Sequence, residues 1–212
     1  MKLPRFDREV ATLTTADESP LFRRVAADAA EIVALARRLE VGDANKYVAS
    51  DPALEKTDAV RGICREVFAE LPVQAGWCYG RGRKMNGAEW HKSSEVVVAC
   101  TDCVLLLGSA ADIEDDSYDS GKAVALVMRE GEAAELPAGT LHLAPLALGD
   151  YFAAAIILPR GTNSPLAGGI SGTLRAVNKW LLVHPDNEAG IAAGGKVGVT
   201  GANITLTGYD GE

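Results

Sequence analysis

Gly131-Glu132-Ala133-Ala134-Glu135-Leu136-Pro137-Ala138-Gly139-Thr140-Leu141-His142 is the stretch on which the fold turns. A short run, 133–136, leads into Pro137-Ala138-Gly139. Proline fixes φ and glycine enters the left-handed region freely, so this tripeptide makes a tight turn. The turn returns the chain to a new strand with His142 directed inward.

Upstream lies Glu89-Trp90-His91-Lys92-Ser93-Ser94-Glu95. Residues i and i+2 of a strand share a side, so Glu89 and His91 face one interior together. Glu95 starts the next strand beside them. The chain has three histidines, and two of them fall in these two blocks. Polar residues on a strand are ordinarily satisfied by neighbours. Two buried carboxylates brought beside two imidazoles, however, are costly unless a cation holds them.

Around these blocks short apolar or β-branched runs follow one another: 73–79, 85–91, 95–100, 103–107, 122–129, 133–136, 141–147, 151–158, 177–184 and 196–207. Asn86-Gly87, Thr101-Asp102, Glu130-Gly131 and Gly149-Asp150 separate them as turns. Many short strands at this spacing predict a β-sandwich or barrel. An acidic stretch, 109–121, and a Gly/Ser/Thr-rich stretch, 160–174, read as long loops at its mouth. Before Pro72 the period is helical. Phe22, Val25, Ala29, Ile32, Val33, Ala36 and Leu39 predict a helix over 21–40 after Ser19-Pro20. Val60, Ile63, Cys64, Val67, Phe68 and Leu71 predict a second over 55–71. The expected organisation is a helical extension, residues 1–72, packed on a barrel of residues 73–212.

The two site blocks resemble the signature of the cupin superfamily, H-x-H-x3/4-E-x6-G and G-x5-P-x-G-x2-H-x3-N. The second block matches through His142, with Leu146 where the pattern has Asn. In the first, Glu89 stands for the first histidine and Asp102 for the closing glycine. Across nearly its whole length the chain is also similar to a domain-of-unknown-function family of cupin-like bacterial proteins of about this size. That likeness is carried by 89–95, 101–108, Thr140-Leu141-His142, Pro159-Arg160-Gly161-Thr162-Asn163 and 178–184. The resemblance implies a mainly β fold: a cupin (double-stranded β-helix, jelly-roll) barrel, here with an N-terminal pair of α-helices. It also implies a soluble, cytoplasmic protein, and homodimers through strand edges.

His91, Glu95 and His142, with Glu89 as fourth ligand or base, suit a divalent Zn, Mn, Fe, Co or Ni ion. Arg81, Arg83, Lys84 and Lys92, joined by Arg160 and Lys179, read either as a solvated surface or as a pocket for a substrate anion. His184 is structural or a further substrate contact. The leading functional reading is a metal-dependent isomerase or epimerase of a small sugar, sugar acid or sugar phosphate. Glu89 or Lys92 would move the proton, with Tyr118 as a further candidate. A cupin lyase of the ureidoglycolate type, a 2-His-1-carboxylate iron oxygenase and a non-catalytic carbohydrate-binding cupin stay open beside it.

The net charge of −8 disfavours nucleic acid, and no apolar run is long enough to span a membrane. The first ten residues lack the apolar core of a secretory signal. Of four cysteines, Cys64 and Cys78 read as buried thiols. Cys100 and Cys103 are expected to face each other across a two-residue hairpin at Thr101-Asp102.

Overall fold

The apolar runs beyond Pro72 form strands, and the longest of them are buried on both faces. The computed structural model describes residues 3–209. Strands β1 (Pro4–Phe6), β2 (Thr12–Thr14) and β3 (Arg23–Val25) come first. Helix α1 (Ala30–Ala36), strand β4 (Lys46–Val48) and helices α2 (Pro52–Glu55) and α3 (Asp58–Phe68) follow. Next are β5 (Val73–Gly80), β6 (Gly87–Trp90), β7 (Glu95–Ala99), β8 (Cys103–Ser109), β9 (Tyr118–Asp119) and β10 (Val124–Met128). Then come β11 (Ala133–Leu136), β12 (Thr140–Leu141), β13 (Leu146–Ala147) and β14 (Phe152–Pro159). The chain closes with β15 (Leu174–Ala176), β16 (Lys179–Val183), α4 (Glu188–Ala192), β17 (Lys196–Val197), β18 (Val199–Thr200) and β19 (Leu206–Tyr209).

A six-stranded sheet in the order β3-β11-β7-β14-β5-β4 lies against a five-stranded one, β12-β8-β10-β2, in which β13 also pairs with β8. Strand alternation explains what each face buries. Val97, Ala99, Phe152, Ala154 and Ile156 point inward and meet Leu105, Leu107, Leu126 and Met128 of the other sheet. The opposite parity, Val96, Val98, Ala155 and Ile157, faces α1 and α3 and packs on Ile32, Val33, Ile63 and Phe68. On the far side, Val104, Leu106, Ala125 and Val127 are covered by Tyr118, Leu182, Val199 and Ile204. Burying each Ile, Leu or Phe contributes about 1.5–3 kcal/mol, so both outer layers are held by apolar contact.

The chain starts with strands, not with the expected pair of helices. Over 21–40 only Ala30–Ala36 is helical. Arg23–Val25 pairs antiparallel with Ala133–Glu135, and Arg23 reaches Glu135 at 2.9 Å. Phe22 enters the inter-sheet core. A ladder partner more than a hundred residues away supplied hydrogen bonds that local periodicity could not foresee. The second helix is α3, shortened at both ends. The Thr57 side chain accepts from Val60 N at its start, and Ala69 ends it in the left-handed conformation. Strands β2 and β4 likewise join the sheets, pairing with β10 and β5.

The Thr101-Asp102 hairpin is a second correction. β7 pairs with β11 and β14, whereas β8 pairs with β10, β12 and β13. The segment between them is a corner between sheets. Cys100 accordingly packs on the helical side and Cys103 in the inter-sheet core. All four cysteines are free. No helix among the described residues is long and apolar enough to cross a membrane.

Candidate metal centre

Four side chains converge at one end of the inter-sheet space. Glu95 has the parity of Val97 and Ala99, so it points inward from the start of β7. Glu89 on β6 and His142 just after β12 are bridged directly by Glu89 N to His142 O at 2.6 Å and His142 N to Glu89 O at 2.9 Å. The Pro137–Gly139 turn sets this pairing: Gly139 adopts φ 83° and its N–H donates to His91 O at 2.9 Å. Glu89, His91 and His142 each offer a ligand atom within 4.8 Å of the others. Glu95 Oε2 stands 3.3 Å from His91 Nε2 and 3.4 Å from His142 Nε2.

Backbone carbonyls decide which ring nitrogen carries hydrogen. His91 Nδ1 contacts Asn178 O at 2.6 Å, and His142 Nδ1 contacts Thr140 O at 2.9 Å. A carbonyl oxygen can only accept, so both Nδ1 atoms donate and both Nε2 atoms are left with a lone pair in the neutral ring. Those Nε2 atoms are buried and have no hydrogen-bond partner. Two lone pairs facing carboxylate oxygens repel unless a cation sits among them. The cluster therefore fits a divalent metal ion, which Glu89, His91 and His142 could hold, with Glu95 beside them. Without one, burial works against the charged His142 ring, but the Glu95 and Glu89 charges override it and raise its pKa to about 9. For Glu95, burial is outweighed by the two imidazoles, which hold its carboxyl well below the usual range.

Asn178 is the scaffold behind His91. It sits at φ 56°, its Oδ1 accepts from Lys92 N at 2.9 Å, and its Nδ2 donates to Ser93 Oγ at 2.8 Å and Thr162 Oγ1 at 3.1 Å. Loop 160–178 is thereby tied to the first ligand block.

A cavity of about 190 Å³ opens beside the donors. Glu89, Glu95, His142, Lys179, Tyr47 and Asn163 supply its polar lining, and Cys78, Val97, Leu105, Leu143, Ala144, Pro145 and Ile156 its apolar lining. Lys179 is the one lysine or arginine among these residues and pairs through Nζ with Glu89 Oε2. Burial pushes against both charges of this pair, yet each stabilises the other: Glu89 is held low and Lys179 high. The Tyr47 phenol is pushed up to about 12 by burial and by the Glu95 charge, so it stays protonated.

Lys179 is thus the one expected substrate contact at the cavity. Arg83 donates to Gly149 O, Lys84 bridges to Thr205, and Arg160 pairs with Glu55 at 3.0 Å. His184 is buried and accepts from Asp186 N at 3.1 Å. Lys92 lies over the Trp180 ring at 5.2 Å. Tyr118 is buried in the outer layer, its hydroxyl over Gly108. None of these six lines the cavity. Tyr47, Cys78, Asn163 and Asn178 went unrecognised. For the two asparagines the signal was position inside stretches already singled out, 159–163 and 178–184; Tyr47 and Cys78 gave none.

A family model described as "Domain of unknown function (DUF4867)" matches residues 23–204. The chain belongs to that family. No curated protein matches the sequence. Among solved structures it is similar to the non-heme alpha-ketoglutarate-dependent epimerase SnoN from nogalamycin biosynthesis, at 17% identity over 74% of this chain and 88% of that one, TM-score 0.41. A cupin domain from Bordetella pertussis Tohama I aligns at 19% identity over 40% and 78%, TM-score 0.30. A mutant of Bacillus subtilis oxalate decarboxylase aligns at 11% over 45% and 24%, TM-score 0.32, so the chain spans about a quarter of that protein's length. With TM-scores below 0.5, none of these likenesses assigns a reaction to the DUF4867 chain.

Proposed function

We propose that this DUF4867 protein is a metal-dependent isomerase or epimerase acting on a small sugar or sugar acid. The observation that carries the reading is the Glu89–Lys179 pair, in which a potential proton acceptor lies among the metal donors and its lysine partner faces the same cavity. A divalent ion in this donor set supplies Lewis-acid polarisation of a substrate carbonyl. The two carboxylates and Lys179 together carry one negative charge. Against a divalent cation the site keeps one positive charge, suited to a substrate oxyanion. Glu89 takes the proton beside that oxygen, and Lys179 keeps the carboxylate ionised and lies ready to donate to the oxyanion. Val97, Leu105 and Ile156 give the same cavity an apolar lining. With Arg83 and Arg160 paired elsewhere and Lys84 outside the cavity lining, a phosphate on the substrate has only the Lys179 ammonium at the cavity to meet it, which favours the unphosphorylated classes.

The test strips the protein with a chelator, restores single divalent metals, and follows aldoses and aldonic acids by proton NMR in deuterated water. One product of equal skeleton carrying deuterium at the exchanged carbon is expected. Two products indicate a lyase, and a requirement for oxygen indicates an oxygenase. Turnover that survives the chelator refutes the proposal. Glu89→Gln separates its roles: metal kept with activity lost marks a base, and metal lost marks a ligand.

A further inference from the structure

Beside the metal donors, the cavity lining holds a second polar pair, Tyr47 and Asn163. Asn163 Nδ2 donates to Tyr47 Oη at 3.0 Å, so the phenol's own hydrogen remains free to be donated. Asn163 Oδ1 is buried and has no hydrogen-bond partner. The pair therefore presents one unused donor and one unused acceptor side by side. Turning the amide over exchanges the atoms but leaves one of each. A buried acceptor without a partner costs about 1–3 kcal/mol, so it is a feature that a ligand would relieve. Val97, Leu105, Ile156 and Cys78 give the same cavity apolar side-chain lining. At about 190 Å³ the cavity is smaller than the roughly 300–1,000 Å³ usual for small-molecule sites.

We propose that Tyr47 and Asn163 form a hydroxyl-reading subsite, and that the substrate is a short hydroxy acid or hydroxy-carbonyl compound, within the small sugar and sugar-acid class, that carries a distal hydroxyl. A hydroxyl both donates and accepts, so it satisfies Asn163 Oδ1 and takes the Tyr47 hydrogen at once. A neutral alcohol matches this pair because neither residue carries charge. The inference rests on the proposed metal-dependent reading, because the other end of the ligand is placed at the donor set.

The experiment measures binding by calorimetry to the manganese-loaded protein. Matched probes differ only by a terminal hydroxyl: lactate and glycerate, 2-hydroxybutanoate and 2,4-dihydroxybutanoate, and 2-hydroxypentanoate and 2,5-dihydroxypentanoate. At one chain length the hydroxylated member is expected to bind at least about tenfold tighter, and Tyr47→Phe to cut that ratio to about threefold or less without weakening its plain partner. Equal affinities within all three pairs, equal weakening of both members by Tyr47→Phe, or no binding at all overturns the subsite. Manganese uptake is measured first and separately: intact uptake with no hydroxyl discrimination sinks only the subsite, and absent uptake sinks the metal-dependent function beneath it.

Discussion

Replacing Asn178 with glycine isolates what holds His91 in place. Glycine keeps the left-handed backbone at φ 56°, so the change removes the side chain without adding strain. Three hydrogen bonds are lost. The Lys92 N–H is at an exposed residue and turns to water at little cost. The hydroxyls of Ser93 and Thr162 are partly buried, and each contact is worth about 1 kcal/mol. The expected loss is about 2 kcal/mol, which in a chain of this size lowers Tm by about 4–8 °C. Because the Asn178 carbonyl fixes the His91 tautomer, its looser placement is expected to weaken zinc binding by about tenfold, the lower end for an outer partner of a metal ligand. Thermal melts of stripped protein give the first number and zinc calorimetry the second. A lower Tm with unchanged zinc affinity would refute the link between Asn178 and the site, and an unchanged Tm would refute the hydrogen bonds themselves.

Three further changes probe other parts of the molecule. In Gly76→Ala the new Cβ would lie 1.8 Å from Val48 O and 2.6 Å from Ala49 C. β4 must then lift from β5, at about 1–3 kcal/mol, seen as a lower urea midpoint and faster amide exchange over Lys46–Val48. Asp51 accepts from Trp77 Nε1 at 2.7 Å and from Ala53 N, and the Trp77 bond is the main reason that its pKa lies below the ordinary 3.8. Its contribution is therefore full above that value and is lost as pH falls through the lowered folded pKa. Asp51→Asn should be less stable than wild type at pH 7, with the gap closing in melts below pH 3.8. Lys179→Met should retain zinc in calorimetry while turnover drops about 10²–10⁴-fold; unchanged turnover would exclude the lysine from proton transfer.

The barrel was legible because β5, β7, β8 and β14 carry apolar residues at both parities and are punctuated by strong turns. His142 was legible for a related reason: Pro137 and Gly139 have few conformations available, so the direction of the returning strand is nearly fixed by residue type. Arg23–Val25 was not, because a helical spacing of Phe22, Val25 and Ala29 says nothing of a distant edge offering a ladder. The cations show the same limit. Arg83 and Arg160 drew notice from their sequence neighbourhood, but Arg83 turns to the Gly149 carbonyl and Arg160 to the Glu55 carboxylate, both far away in sequence. Tyr47 and Asn163 lie 116 positions apart, and only the packing of β4 and loop 160–178 at the same mouth reveals the pair.

The four donors belong to three different sheets. Glu89 and His91 lie on or at the end of β6, which is paired with β16; Glu95 starts the six-stranded sheet's β7; His142 follows β12 of the five-stranded sheet. A cation bound among them would rivet a three-way seam, so loading the site would be expected to quiet the breathing of three sheets at one point.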